Sequence, residues 1–204
     1  MTPVVESPAQ EEVQTDQYVR LAGATWADYE RLLRIRGERA VPRITYLEGV
    51  LELMSPSRKH ESIKSRLGRL VEAWCYERGV AFDPVGSWTL KSEATERGCE
   101  PDECFVFGER GEEALRPDLA LEVVQTSGGL DKLELYRLLG VPEVWVWRGG
   151  RLEAFALRGD RYERLAGSEA LPGIDLAQLV AHLDRPTSVA VPAYRRALRG
   201  EPAP

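Results

Sequence analysis

The sequence predicts an α/β domain in which a mixed β-sheet is flanked by α-helices. Three observations predict it. Leu119 to Val124 reads as a strand, Asp131 to Leu139 as a helix, and Glu143 to Trp147 as a strand covered on both faces. A strand, a helix and a strand in so short a stretch imply a crossover and a parallel pair. Next, Ile63, Leu67, Leu70, Val71 and Trp74 form one apolar stripe along Ser57 to Arg78, a long helix that stops before Gly79. Finally, short apolar runs flank Glu48-Gly49, Gly149-Gly150 and Arg158-Gly159-Asp160, the signature of hairpins. A chain of 204 residues, 43% of them hydrophobic, fits one such domain with a real core.

In chain order, residues 1–20 are polar, without periodicity, and are expected to be a disordered tail. Residues 21–185 are expected to form the domain and 186–204 a basic, proline-containing C-terminal tail. Thr25 can cap a helix carrying Trp26, Tyr29, Leu32 and Leu33 at helical spacing, ending near Gly37. Ile44 to Leu47 and Val50 to Met54 form the first hairpin, and Ser55-Pro56-Ser57 leads into the long helix. Strands are then expected at Val80 to Phe82, Trp88 to Leu90 and Glu103 to Phe107, with a charged loop from Lys91 to Gly98. After Trp147, hairpins lead to Leu152 to Phe155 and Tyr162 to Leu165, and Asp175 caps a last helix running to His182.

Composition narrows the function classes. No window approaches eighteen consecutive apolar residues, and Met1 to Gln17 has no apolar core of a secretion signal, so no membrane partner and a cytoplasmic setting are expected. Cys75, Cys99 and Cys104 lack C-x-x-C spacing, and with only two histidines a zinc site is not expected. The net charge of -6 argues against broad nonspecific binding of nucleic acid, which is driven by counterion release. It leaves room for a local basic face at Arg58, Lys59, Lys64, Arg66 and Arg69, although charge runs of this kind are usually a solvated helix surface.

The chemistry centres on Glu122, a carboxylate inside the apolar run Leu119-Ala120-Leu121-Glu122-Val123-Val124. A buried charge is costly unless it is paired or bound to metal. Asp102 lies about one hairpin upstream and Lys132 one short loop downstream, so both are candidate partners. Two carboxylates and a lysine at a strand end suit a metal-dependent phosphodiesterase, and they equally suit a salt-bridge network that pins helix to sheet. Alternation puts Glu122 and Val124 on one face, and Val124 stands where a D-(E)-x-K strand would carry its lysine. Lys132 can replace it, returning its ammonium from the first turn of the next helix. Tyr136, one turn on, could fix that lysine or contact a phosphate. His60 and Glu61 open the long helix, where they either pack or reach the same cleft to help hold metal or phosphate.

These residues carry a resemblance. Glu100-Pro101-Asp102-Glu103, Pro117-Asp118 with Leu119 to Val124, Asp131-Lys132 with Tyr136, and Gly140-Val141-Pro142-Glu143 resemble the Uma family of restriction endonucleases. Tyr46-Leu47-Glu48-Gly49 and Met54-Ser55-Pro56-Ser57 with His60 extend the likeness to roughly residues 20–165. The resemblance implies the PD-(D/E)XK restriction-endonuclease-like fold. It implies that Asp102 and Glu122 bind Mg²⁺ or Mn²⁺, with Lys132 as the displaced lysine of a K-x-x-x-Y arrangement completed by Tyr136. One departure is the compact Gln125-Thr126-Ser127-Gly128-Gly129, where many members carry a longer Ser-Pro-Ser-Thr loop with basic residues.

The expected activity is hydrolysis of DNA phosphodiester bonds by a metal-dependent endonuclease, possible as a homodimer because cutting both strands needs two sites. The rival is a nuclease-fold module that cuts nothing and binds nucleic acid or a protein partner.

Overall fold

In the computed structural model, which describes residues 15–125 and 130–202, the strands fall into two sheets rather than one. The chain runs β1 (Gln17–Ala22), α1 (Trp26–Arg36), β2 (Arg43–Leu47), β3 (Val50–Ser55) and α2 (Arg58–Arg78). It continues with β4 (Phe82–Pro84), β5 (Leu90–Ser92), β6 (Arg97–Cys99), β7 (Glu103–Phe107) and β8 (Leu119–Val124). Then come α3 (Lys132–Leu138), β9 (Glu143–Arg148), β10 (Arg151–Arg158), β11 (Arg161–Arg164), α4 (Leu176–Val180) and α5 (Thr187–Leu198). The first sheet is antiparallel, in the order β1-β3-β2-β6-β5. The second is mixed, in the order β11-β10-β9-β8-β7-β4, with β8 and β9 as its parallel pair.

Local chemistry explains the elements. Thr25 and Asp28 form a reciprocal capping box on α1, and Ser57 and Asp131 cap α2 and α3 through their side chains. Gly79 ends α2 in the left-handed region, at φ 65°, which a side chain would strain. The predicted stripe of α2 packs on β7, β8, β9 and β10 through Phe105, Leu119, Leu121, Val123, Trp145 and Ala154. On the opposite face Ala120 and Val144 meet Leu135 and Tyr136 of α3, together with Leu47, Leu90 and Cys99 from the first sheet. That sheet is closed on its outer side by α1, whose Tyr29 packs with Ile44, Tyr46 and Leu51. Tyr29 lies so close to β6 that a side chain at Gly98 would overlap its ring.

Four expectations change. The Lys91 to Gly98 stretch, expected as a loop, contains β5 and β6, three residues each and too short to show alternation. Residues 17–20, expected within a tail, belong to β1, which pairs with β3 from Gln17↔Ser55 to Ala22↔Val50 and exposes its side chains. The segment after Pro186, also expected as a tail, folds as α5, with Ala190 and Tyr194 buried and Arg195 and Arg199 clasping Glu77 of α2. The strands expected at Val80 to Phe82 and Trp88 to Leu90 lie two residues later, as β4 and β5. The Gly128-Gly129 turn lies outside the described residues. No helix among the described residues is long and apolar enough to cross a membrane.

Candidate functional site

The two sheets meet around a cavity of about 290 Å³. The first sheet lines it with Arg43, Thr45, Glu52 and Met54; the second contributes Glu122 to Val124 and Arg148; α2 adds His60 and α3 adds Lys132. Asp102 enters from the turn before β7. The register of β7 with β8 runs Glu103↔Leu121, and one further step sets Asp102 beside Glu122. Glu122 points away from α2, as the alternation predicts, because its neighbours Leu121 and Val123 fill the α2 side of the sheet.

The expected trio resolves into two adjacent cation–carboxylate pairs. Lys132 Nζ lies 3.5 Å from Glu122 Oε1 and donates to the carbonyl of Glu100 at 3.4 Å. Asp102 instead pairs through Oδ1 with the Arg43 guanidinium, a residue that the sequence analysis did not single out. Its Oδ2 accepts the Val123 amide at 2.6 Å, which fixes the carboxylate to the edge of β8. Burial opposes the charge on Lys132, but Glu122, Cys99 and Glu52 outweigh it and hold the ammonium above the ordinary lysine range. Charge stabilisation suits that lysine better than proton abstraction.

Tyr136 is the phenol of this site, and its partner is Glu122 rather than the lysine: its hydroxyl donates to Oε1. Burial first, and then the charge of Glu122, push its pKa well up, so the proton stays on the phenol and keeps Glu122 oriented. His60 is 1% exposed and lies against Asp102, with Nε2 3.0 Å from Oδ1. Its Nδ1 is 3.0 Å from Oδ2 of Asp16, which is 6% exposed and also accepts the Ser57 amide at 2.8 Å. Burial works against the Asp16 carboxylate, yet the bonds from His60 and Ser57 hold its pKa below the usual range. Glu61 stays at the rim, accepting from Arg43 Nη2 at 2.8 Å and facing Lys64 at 3.1 Å.

The sequence reasoning also passed over Glu52. This buried carboxylate lines the cavity, pairs with Arg20 Nε at 2.7 Å and accepts the Leu130 amide at 3.3 Å. Its signal was present: Val50-Leu51-Glu52-Leu53-Met54 is an apolar run with one carboxylate, the same pattern that marked Glu122. Arg43, the charged first residue of an otherwise apolar strand, was a fainter sign.

The donor chemistry fits a hard divalent ion. Asp102 and Glu122 present carboxylate oxygens to one cavity, and Mg²⁺-like ions use one or two carboxylates while keeping several waters. Among the described residues no three His, Cys, Asp or Glu side chains are grouped as a ligand set, so water and substrate oxygens would complete the shell. Arg43 and Lys132 already neutralise the pair, which makes the arrangement stable without an ion.

A family model, Uma2, described as "Putative restriction endonuclease", matches residues 26–188. Among solved structures, the chain is similar to a "putative nuclease belonging to DUF820" from Anabaena variabilis. That likeness has 14% identity and a TM-score of 0.49, and covers 79% of this chain and 96% of that one. No curated protein matches the sequence.

Proposed function

The chain belongs to the Uma2 restriction-endonuclease family, and on that premise we propose that it is a divalent-metal-dependent endonuclease hydrolysing phosphodiester bonds in DNA. The observation that carries this reading is the meeting of Asp102, Glu122 and Lys132 at one cavity, from the turn before β7, from β8 and from α3. Asp102 and Glu122 would hold the ion, Mg²⁺ or Mn²⁺. A bound ion of this kind polarises a phosphate and lowers the pKa of its water.

The protein's own groups do the rest. Lys132, kept charged by Glu122, offsets negative charge that builds on the phosphorane oxygens. Tyr136 fixes the Glu122 carboxylate, and the Val123 amide fixes Asp102, so both present their oxygens without reorganisation. Arg43 screens Asp102 and must give up part of that contact when an ion binds. Arg148 lines the open end, where a phosphate backbone would pass. A homodimer would supply the second site needed to cut both strands.

The second reading, a nuclease-fold module that cuts nothing, draws on the complete pairing of both carboxylates by Arg43 and Lys132. One experiment separates the two: calorimetric titration of Mn²⁺ into wild type, Asp102→Ala and Glu122→Ala, followed by plasmid nicking. The nuclease reading expects binding lost in both variants, and nicking lost in these and in Lys132→Met. A wild type that binds no ion, with both carboxylate variants less stable, would leave the trio as a structural ion-pair network.

A further inference from the structure

Among the described residues that line the cavity, Arg148 is the cation without a carboxylate partner. Arg43 is paired with Asp102 and Lys132 with Glu122, and the third cavity carboxylate, Glu52, is taken by Arg20. Arg148 is exposed at the end of β9, so its guanidinium brings to the cavity a positive charge that no protein group balances.

The register of the second sheet says where that charge lies. In the parallel pair of β8 and β9, Glu122 is level with Val146 and Val124 is level with Arg148. Partners in register project on the same face, so Arg148 stands one strand spacing, about 4.8 Å, from Val124 on the face that carries Glu122. Val124 holds the position that belongs to lysine in a D-(E)-x-K strand. The chain thus has valine at that position and sets a guanidinium beside it from the neighbouring strand.

A second observation is independent of the first. Across the Gly149-Gly150 turn the register pairs Arg148 with Arg151. Like charges directly opposite each other destabilise a hairpin, and among the described residues neither arginine meets a carboxylate. The remaining arginines of β10 and β11 are all neutralised: Arg158 by Glu169, Arg161 by Glu163 and Arg164 by Glu153. Fold stability does not favour the bare pair at the cavity end, whereas an anion lying over it does. The guanidinium fork matches the oxygens of a phosphate.

We propose that Arg148 is a catalytic residue whose guanidinium binds the non-bridging oxygens of the phosphate that is cut, from the place beside Val124 where a strand lysine would otherwise reach. The inference rests on the endonuclease reading and adds to it the residue that holds the phosphate. Lys132 shares its charge with Glu122, and Arg148 supplies the charge that an incoming phosphate meets first.

The test measures nicking of supercoiled plasmid with Mn²⁺ and, in chelator so that nothing is cut, binding of a fluorescent duplex over a range of salt concentrations. Arg148 is exposed at a hairpin end, so Arg148→Met should keep the fold, which its melting temperature checks. It should lower kcat for nicking about 100-fold, the usual loss for one donor to the reacting oxygens. The slope of log affinity against log salt should flatten by about 0.9, the contribution of one phosphate contact. Val124→Lys combined with Arg148→Met should recover at least about tenfold of the lost rate, because a cation returns to the strand. Arg164→Met, which removes a charge from β11 outside the cavity, should change neither quantity. Nicking by Arg148→Met within about threefold of wild type, with Glu122→Ala inactive, overturns this proposal and leaves the nuclease reading standing. A loss of rate with an unchanged salt slope, or a double variant no faster than Arg148→Met, overturns it too. A wild type that nicks nothing overturns both.

Discussion

Replacing Arg43 with methionine tests the electrostatic logic of the cavity most directly, because it should push stability and ion affinity in opposite directions. The guanidinium is buried, pairs with Asp102 through Nη1 and reaches Glu61 through Nη2 at 2.8 Å. Removing one partner of a buried pair costs about 3–5 kcal/mol, because the other charge stays behind. Asp102 keeps the Val123 amide and the neighbouring His60, so the lower end, about 3 kcal/mol, is expected without ion. Ion binding to wild type must displace a charge-assisted contact worth about 1.5–3 kcal/mol. With that competitor gone, Mn²⁺ should bind about 10–100-fold more tightly. At an ion concentration of about 100 times Kd, some 2.7 kcal/mol of the lost stability should return. Urea unfolding with and without chelator measures the first quantity, and calorimetry measures the second. A variant as stable as wild type without ion, or one that binds Mn²⁺ no better, would refute the claim that Arg43 stands in for the ion.

Three further outcomes follow from the same geometry. Tyr136→Phe removes the hydroxyl that orients Glu122, and urea unfolding should show a loss of about 2 kcal/mol, the worth of a hydrogen bond to a buried charge; unchanged stability would place that bond outside the folded ensemble. Gly98→Ala should cost about 3 kcal/mol by forcing Tyr29 off β6, and a near-wild-type melting temperature would contradict the close approach. Glu77 has its pKa lowered to about 2 by hydrogen bonds from Arg199 and Arg195. A depressed carboxylate stabilises above its unfolded value of about 4.3, and that stability is lost as the pH falls through about 2. The gap in melting temperature between wild type and Glu77→Gln should therefore be constant above about pH 5 and close between pH 4 and 2. A gap that persists at pH 2 would assign it to packing of α5 on α2.

Much of this arrangement could be read in the sequence because it depends on local patterns. The stripe of α2, the hairpin at Glu48-Gly49 and the run around Glu122 are each set by residues within one element. What escaped depends on long-range pairing. β5 and β6 are three residues each and gain their place only by pairing with each other and, through Tyr46↔Gly98, with β2. α5 begins after Pro186 and contains Pro192, which read as helix breakers, and it is held by packing on α2. Within the site, Glu122 declared itself as a charge in an apolar run, and Asp102 and Lys132 as its candidate partners one hairpin upstream and one short loop downstream. Arg43 did not, because arginine at a strand start usually faces water, and Asp16 did not, because it lies among other polar residues. Glu52 carries the same signal as Glu122, a single carboxylate in an apolar run.

The ionic cluster draws on residues from Asp16 to Tyr136, carried by both sheets, α2 and α3. No sub-segment of the chain can complete it, and ribosomal synthesis delivers its members in sequence. Until β8 lies between β7 and β9, Arg43 and His60 have no Asp102 carboxylate pinned to the edge of β8. Contacts of such wide sequence separation form late in folding, since loop closure must precede them. The cleft therefore cannot close before Tyr136 has been synthesised and β7, β8 and β9 have paired.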